Sequence, residues 1–182
     1  MAFNPIFPTY AGLLPILKAA KGIAERDFVE ALAWRCDLDG STPGPDFARV
    51  QLAQMHSAEY PLLIITPSDS DPEPLGVGGV KQTHIMAAEI TVEKSITVDD
   101  AIPAHNALIE ELIRYADAVM MVWQSATADD WQLNFPGNSQ GVVQVSCRNF
   151  IYGPILRSKE EGGSYARSVA FELQVKLLES EG

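Results

Sequence analysis

The chain has 182 residues, of which 47% are hydrophobic and 20% are charged. This is an ordinary globular composition for about one domain, and the length is sufficient to bury a core without metal or disulfide staples. The 13 basic and 24 acidic residues give a formal net charge of −11. That charge argues against a protein whose main task is to hold nucleic-acid phosphates, because such a task needs a basic surface. It does not exclude DNA passing nearby without sticking.

Neither the cysteines nor the first residues indicate export. Cys36 and Cys147 lie far apart in apolar segments, and we expect both to be reduced, core-filling thiols. Residues 1–20 are apolar, but they contain three prolines and no basic residue before Lys18, which is not typical of a signal peptide. No convincing transmembrane helix is expected. The sequence therefore predicts a soluble protein made in the cytoplasm.

Residues 1–11 predict an irregular arm, and residues 12–182 predict a single α+β domain. Prolines and a glycine interrupt any regular element in the arm. The aromatic side chains of Phe3, Phe7 and Tyr10 would be exposed unless they dock on the same chain or on a neighbouring one. We predict that these three side chains contact a subunit or another neighbour.

The spacing of apolar residues predicts a helix over residues 13–36. Pro15 is compatible with its first turn, and Gly22 is a point at which the helix could bend or divide. A turn-rich loop follows. Residues 46–58 then predict a short second helix, with apolar residues only partly in register.

Two strands are predicted next. The apolar run at residues 60–66 is typical of a buried strand, and the acidic, Pro- and Gly-rich residues 68–79 predict a flexible loop. Residues 80–94 predict a long strand, and the alternation of apolar and polar residues in its second half indicates that one face lies in the core and the other in water. The wet face includes Glu89 and Glu93. The core face consists of Met86, Ala88, Ile90 and Val92.

The second half of the chain has the order helix, strand, strand. Asp99 and Asp100 precede a predicted amphipathic helix of about 22 residues that begins near Pro103. Residues 142–152 and 164–178 predict two closing strands, and the last one alternates most sharply. The apolar stripe of the helix is Ile109, Leu112, Ala116, Val119 and Trp123; the core side of the last strand is Val169, Phe171, Leu173, Val175 and Leu177.

Two strand pairs separated by one long helix predict an α+β fold, with a single, mostly antiparallel four-stranded sheet and helices packed on one face. No glycine-rich phosphate motif follows a strand and opens a helix, so a nucleotide-binding α/β fold is not expected. Trp131 and Phe135 lie in the polar loop before the closing strands. They are interpreted as core residues or as subunit contacts.

No constellation in the sequence predicts catalysis, a metal or a cofactor. The three histidines share no metal-ligand spacing, and no serine or cysteine lies in a nucleophile motif. Glu89 and Glu93 are about 13 Å apart along one strand, which is too far for a glycosidase pair, and a solvated strand face is their plain interpretation. We therefore expect a protein that is not an enzyme.

The second half of the chain resembles the tail terminator, or tail completion, proteins of long-tailed bacteriophages. The resemblance is carried by YPLLIIT (60–66), THIMAAEITVEK (83–94), AHNALIEELIRYADAVMMVW (104–123) and the closing VAFELQVKL (169–177), in that order. It covers roughly residues 12–36 and 58–178. The arm at 1–11 and the extra segment at 41–57 depart from the family pattern.

The resemblance implies a virion protein without enzymatic activity. It would form a six-membered ring at the head-proximal end of the tail tube, stop tube polymerisation and join the tail to the head connector. Its partners would be copies of itself, the tail tube protein and the connector, with DNA passing through the channel without specific binding. We predict that Glu89 and Glu93 help to line that channel, because acidic residues repel DNA phosphates.

Two alternatives stay open at this stage. The first is a head–tail connector or neck protein of the same particle, which would bind heads but not isolated tail tubes. The second is a small α+β enzyme or ligand-binding domain, which would need an apolar pocket with converging polar groups.

Overall fold

Two long helices and six strands make up the part of the chain that the computed structural model describes, namely residues 13–38, 49–51, 60–74, 79–95, 101–127, 130–131, 138–157 and 163–181. In chain order these elements are α1 (Leu13–Leu38), β1 (Arg49–Gln51), β2 (Leu62–Pro74), β3 (Gly79–Ser95), α2 (Ala101–Ser125), β4 (Asn138–Tyr152), β5 (Leu156–Arg157) and β6 (Ser164–Glu181).

The strands form one sheet in the order β1-β2-β3-β6-β4, with β5 also paired to β6. The four long strands pair antiparallel, and they are the four strands that the sequence predicts. Two short strands are added. Arg49 of β1 lies parallel to Leu62, and Leu156 of β5 lies opposite Ala166. The predicted α+β fold with a single, mostly antiparallel sheet is therefore confirmed.

The central pair, β3 and β6, shows why this sequence folds as a sheet. Every second residue is apolar from Met86 to Val92 of β3 and from Val169 to Leu177 of β6, and cross-strand register brings these residues onto the same face. Burying each such side chain contributes about 1.5–3 kcal/mol before entropy is counted. The predicted core positions are all buried: Met86, Ala88, Ile90 and Val92 on β3, and Val169, Phe171, Leu173, Val175 and Leu177 on β6.

Both helices cover this inner face. The indole Nε1 of Trp123 on α2 donates a hydrogen bond to the Ala20 carbonyl of α1 at 2.9 Å, and its ring packs against Phe171 at 6.1 Å. The ammonium of Lys94 at the end of β3 lies 2.6 Å from the Glu111 carboxylate of α2. Helix and sheet are thus joined by apolar packing in the middle and by an ion pair at one end.

The helices differ slightly from the prediction. α1 runs through Gly22 without a break, because the apolar stripe on both sides of the glycine packs on the same core. α2 begins at Ala101, two residues before Pro103, while Asp99 and Asp100 lie outside the described residues. Ile109 is only half-buried, and Leu108 and Tyr115 enter the core instead.

Two predicted segments are wrong in the structure. Residues 68–74 belong to β2 and not to a loop, because they pair antiparallel with β3 as far as Pro74 opposite Val80. Prolines are tolerated there since β2 has no further partner alongside those residues in the described part of the chain. Residues 49–51 form a strand and not a helix, because they pair with the start of β2. The rest of 46–58 lies outside the described residues.

Within the described ranges, neither helix is long and apolar enough to cross a membrane.

Candidate assembly surface

The sheet face turned away from the helices carries the two glutamates that the sequence singles out. Glu89 lies opposite Ala170 of β6 and Ile64 of β2, and Glu93 lies opposite Ala166. Both side chains are exposed, as the alternation of β3 predicts. The Ser164 hydroxyl donates a hydrogen bond to Glu93 Oε1. No hydrogen bond or ion pair joins Glu89 to any other residue that the structure describes, so its carboxylate faces solvent.

A third carboxylate on this outer face is held by β4. Arg148 Nε and Asn149 Nδ2 both donate to Glu172 Oε2, at 3.0 and 2.9 Å. The two donors converge because the β4–β6 register shifts by one residue between Arg148 and Ile151, and because Asn149 has a φ of 59°. This left-handed backbone is the conformation that asparagine tolerates better than most residues. The bulge therefore fixes one acidic group while Glu89 stays open.

The same bulge turns an apolar corner outward. Ile151 is 68% exposed and Leu156 is 62% exposed. Ile151 lies opposite Ala170, which in turn lies opposite Glu89, and Leu156 lies opposite Ala166, which lies opposite Glu93. We call these two residues the β4–β5 corner. Two acidic positions and two exposed apolar positions thus occupy the same two rows of the sheet.

The β4–β5 corner is well held. Between its two strands, Gly153 donates its backbone N–H to the Ser168 carbonyl at 2.9 Å, and Arg167 Nε donates to the Gly153 carbonyl at 3.0 Å. A Cβ at Gly153 would lie 3.1 Å from Ser168 Oγ, so the close approach favours glycine. The apolar side chains of the corner are therefore presented on a fixed backbone, which reduces the entropy lost on binding.

The sequence does not identify this corner. Residues 150–156 read FIYGPIL, and apolar residues that follow one another give no sign of which one faces out. Phe150 packs on Phe171 with ring centroids 4.9 Å apart, while the next residue, Ile151, is exposed. Only the register shift between Arg148 and Ile151 determines that Phe150 faces the core and Ile151 faces solvent. The available signal in the sequence was Asn149, because asparagine is uncommon inside a strand and is tolerated at a bulge.

β4, and the part of β2 beyond its pairing with β1, carry features that disfavour continuous pairing with another sheet. The β2–β3 register shifts between Pro67 and Asp69, and β4 has two shifts against β6. Bulges and prolines at an edge strand interrupt the row of backbone donors and acceptors that a further strand would use. A partner is therefore expected to contact the outer face and the corner more than to extend the sheet.

The predicted contact residues fall into two groups. Phe3, Phe7, Tyr10 and Phe135 lie outside the described residues. Trp131 is 0% exposed and belongs to the hydrophobic core. Its side chain is therefore a core residue, and its prediction as a surface contact is corrected. The large apolar side chain of Trp131, which suggested a subunit contact, packs in the hydrophobic core of its own subunit.

The described cysteine and histidine side chains, which could take part in chemistry, lie on three different elements. Cys147 is half-buried against the core, and burial raises the pKa of its thiol to about 12, so it stays protonated at neutral pH. His84 is fully buried, and desolvation lowers its pKa. His105 packs edge-on against Tyr165 at 4.8 Å. Among the described residues no group of three or more His, Cys, Asp and Glu side chains could hold a metal ion.

No protein-family model matches the chain, and no curated protein does either. Among solved structures, the chain is similar to one chain of the "Virion of native gene transfer agent (GTA) particle", with a TM-score of 0.45 and 12% sequence identity. The likeness covers 92% of this chain and 98% of that chain. A likeness this weak supports no argument about function.

Proposed function

We propose that this chain is a structural protein of a phage-type particle, and that it forms a ring at the head-proximal end of a tail tube. In that position it ends tube growth and joins the tail to the head connector. The observation that carries the proposal is the outer face of the sheet, where Glu89 and Glu93 share two rows with the exposed Ile151 and Leu156. The sequence resemblance to tail terminators points in the same direction.

A closed ring needs two different surfaces on each copy, which meet head to tail. The β4–β5 corner supplies a candidate for one of them, because Ile151 and Leu156 are exposed large apolar side chains on a fixed backbone. Large apolar side chains that are exposed in the single subunit are typical of residues that become buried at the centre of an interface. In the ring, the corner would pack on the next copy and leave the neighbouring glutamates facing the centre.

The glutamates would then line a channel. Six copies would carry six times −11, that is −66 formal charges. An acidic wall repels phosphates and lets DNA slide without sticking. The open carboxylate of Glu89 suits this role better than the hydrogen-bonded Glu172 does. In this proposal the chain transforms no substrate, and its partners are its own copies, the tube protein and the connector.

The test is co-assembly with purified tail tubes, followed by electron microscopy and light scattering. A tail terminator forms hexameric rings that bind one end of the tubes and stop their elongation. Rings that bind heads and leave tubes free would favour the neck or connector alternative. A monomer or dimer that turns over a small molecule in an enclosed cleft would overturn the proposal.

A further inference from the structure

The turn between β4 and β5 has a second side, which faces the helices and carries a half-buried cation. Arg167 lies opposite Val92, and Tyr152 lies opposite Val169. Both valines are buried against the helices, so Arg167 and Tyr152 lie on the same side of the sheet and at neighbouring positions. The exposed side chains of the β4–β5 corner lie on the other side of the same turn.

The Arg167 guanidinium uses only one of its nitrogens within the single chain. Its Nε donates a hydrogen bond to the Gly153 carbonyl at 3.0 Å, which holds the guanidinium beside the turn. No other hydrogen bond and no ion pair joins this guanidinium to any residue in the part of the chain that the structure describes. Its two Nη groups, with four N–H donors in one plane, are therefore available to a further acceptor.

The Tyr152 hydroxyl adds a donor on the same side. Its side chain is 40% exposed. Partial burial and the Asp117 carboxylate of α2 raise the pKa of the phenol, and the positive charge of Arg167 offsets part of this rise. The hydroxyl therefore stays protonated at neutral pH and can donate a hydrogen bond. Arg167 acts on it electrostatically, so the two groups can serve one ligand.

A carboxylate is the ligand that this arrangement fits. The Nη side of a guanidinium forms two parallel hydrogen bonds with the two oxygens of a carboxylate, and such charge-assisted pairs are stronger than bonds to neutral groups. A backbone carbonyl would accept one bond and leave the charge without a counter-ion. Since arginine is seldom buried without an opposite charge, a carboxylate would complete the surroundings of Arg167.

We propose that Arg167 binds a carboxylate side chain of the neighbouring copy in the ring. This inference rests on the ring proposed above and adds a specific ion pair to the β4–β5 corner. Charge complementarity identifies the occupant, because each copy has 24 acidic and only 13 basic residues and so brings carboxylates in excess. When the next copy packs on Ile151 and Leu156, water is excluded from the turn and the ion pair is strengthened.

A DNA phosphate also fits a guanidinium, but the position of Arg167 disfavours it. Arg167 lies on the helix side of the sheet, whereas Glu89 and Glu93, which are proposed to line the channel, are exposed on the outer side. DNA in the channel would therefore meet the glutamates and not the arginine. A net charge of −11 on each copy repels phosphates further.

Zero-length cross-linking identifies the occupant. Arg167→Lys in the full-length chain keeps the positive charge and introduces an amine, which a water-soluble carbodiimide joins only to a carboxylate in direct contact. The rings are assembled from a mixture of unlabelled and isotope-labelled chains, so a linked peptide pair with one member of each kind comes from two chains. Mass spectrometry should show the introduced lysine linked to an Asp or Glu of the other chain.

Arg148→Lys is the matched control, because the carboxylate partner of Arg148 is Glu172 of the same chain, at 3.0 Å. Its introduced lysine should link to Glu172 within one chain. For Arg167→Lys, links that form only within one chain, for example to Asp117, would overturn the proposal. Links only to the tail tube protein, or to no carboxylate at all, would overturn it as well.

Removing the charge gives a second measurement. Arg167→Gln should raise the protein concentration at which rings dissociate by about tenfold or more, since it leaves the partner carboxylate unpaired. Arg167→Lys should recover part of this loss. Added salt should weaken the native rings more steeply than the rings of Arg167→Gln, because salt screens ion pairs. A role limited to holding the Gly153 carbonyl would not change the salt dependence.

The outcome for the native chain separates this contact from the proposed function. If native rings form, and Arg167→Gln rings dissociate at the same concentration with the same salt dependence, the contact is wrong and the ring stands. If the native chain forms no rings under any of these conditions, the proposed function is wrong and the contact is wrong with it.

Discussion

On the inner face of the sheet, Phe171 and Leu173 pack against the helices and are almost fully buried, while on the outer face of the same strand Ala170 and Glu172 face away from them. One strand therefore contributes to two environments with a period of two residues. The inner face lies in the core that stabilises the subunit. The outer face bears the open carboxylate of Glu89 beside exposed apolar side chains, and such a surface adds little to folding. Substitutions on the inner face should therefore lower the free energy of unfolding, whereas substitutions on the outer face should change assembly.

The largest expected effect on stability is at Trp123. Its side chain is 0% exposed, and it joins α2 to α1 and to β6. Trp123→Ala removes a large buried side chain and the hydrogen bond to Ala20, and should lower the free energy of unfolding by about 3–5 kcal/mol. Urea denaturation followed by circular dichroism measures this change.

The matched substitution on the outer face is Ile151→Ala. Because Ile151 is 68% exposed, its truncation should change the free energy of unfolding by less than about 0.5 kcal/mol. Comparable losses for the two variants would mean that the outer corner also contributes to folding, and the separation of the two faces would fail.

How far the sequence predicts these two faces depends on how each is encoded. The inner face follows from alternation that is local in the sequence, so Ile90 and Val175 could be assigned without a structure. The outward direction of Glu89 followed from the same pattern. The β4–β5 corner could not be predicted, because Phe150 and Ile151 are adjacent apolar residues whose directions depend on a bulge. β1 and the end of β2 were missed since strand pairing is not visible in their composition.

The second prediction separates assembly from folding. Ile151→Asp together with Leu156→Asp places two charges on the exposed corner, where they should leave the free energy of unfolding within about 0.5 kcal/mol of its original value. If the corner is the centre of an interface, the rings should be lost, since charges are depleted there. Size-exclusion chromatography with light scattering measures the oligomer.

Ile102→Asp is the control for the corner variant, because Ile102 is also strongly exposed but lies at the start of α2. It should leave ring formation unchanged. If rings survive the double substitution, or if they are lost equally in the control, the corner is not part of the interface.

The third prediction concerns the acidic rows beside the corner. Glu89→Lys with Glu93→Lys should slow DNA ejection or delivery several-fold, because lysines in a channel wall would attract phosphates. The slowing should weaken as salt is raised, since the interaction is screened. Glu30→Lys with Glu110→Lys makes the same change in net charge on exposed helix positions and should leave ejection unaffected. Ejection that is identical in both variants would exclude the two glutamates from the channel.

Asn149 connects the two faces, because its bulge determines which side of the sheet Ile151 faces, and its substitution should affect stability much less than Trp123→Ala does. Its φ of 59° is unfavourable for a residue with an ordinary Cβ, and a left-handed backbone costs such a residue about 1–2 kcal/mol. Asn149→Ala should therefore lower the free energy of unfolding by about 1 kcal/mol, whereas Asn149→Gly should be close to neutral. Both variants lose the hydrogen bond to Glu172, so the difference between them isolates the backbone term.

If the bulge also determines how the β4–β5 corner is presented, Asn149→Ala should weaken ring formation in the same light-scattering assay while Asn149→Gly retains it. Equal behaviour of the two variants would mean that side-chain bonding to Glu172, and not the backbone conformation, holds the corner in place.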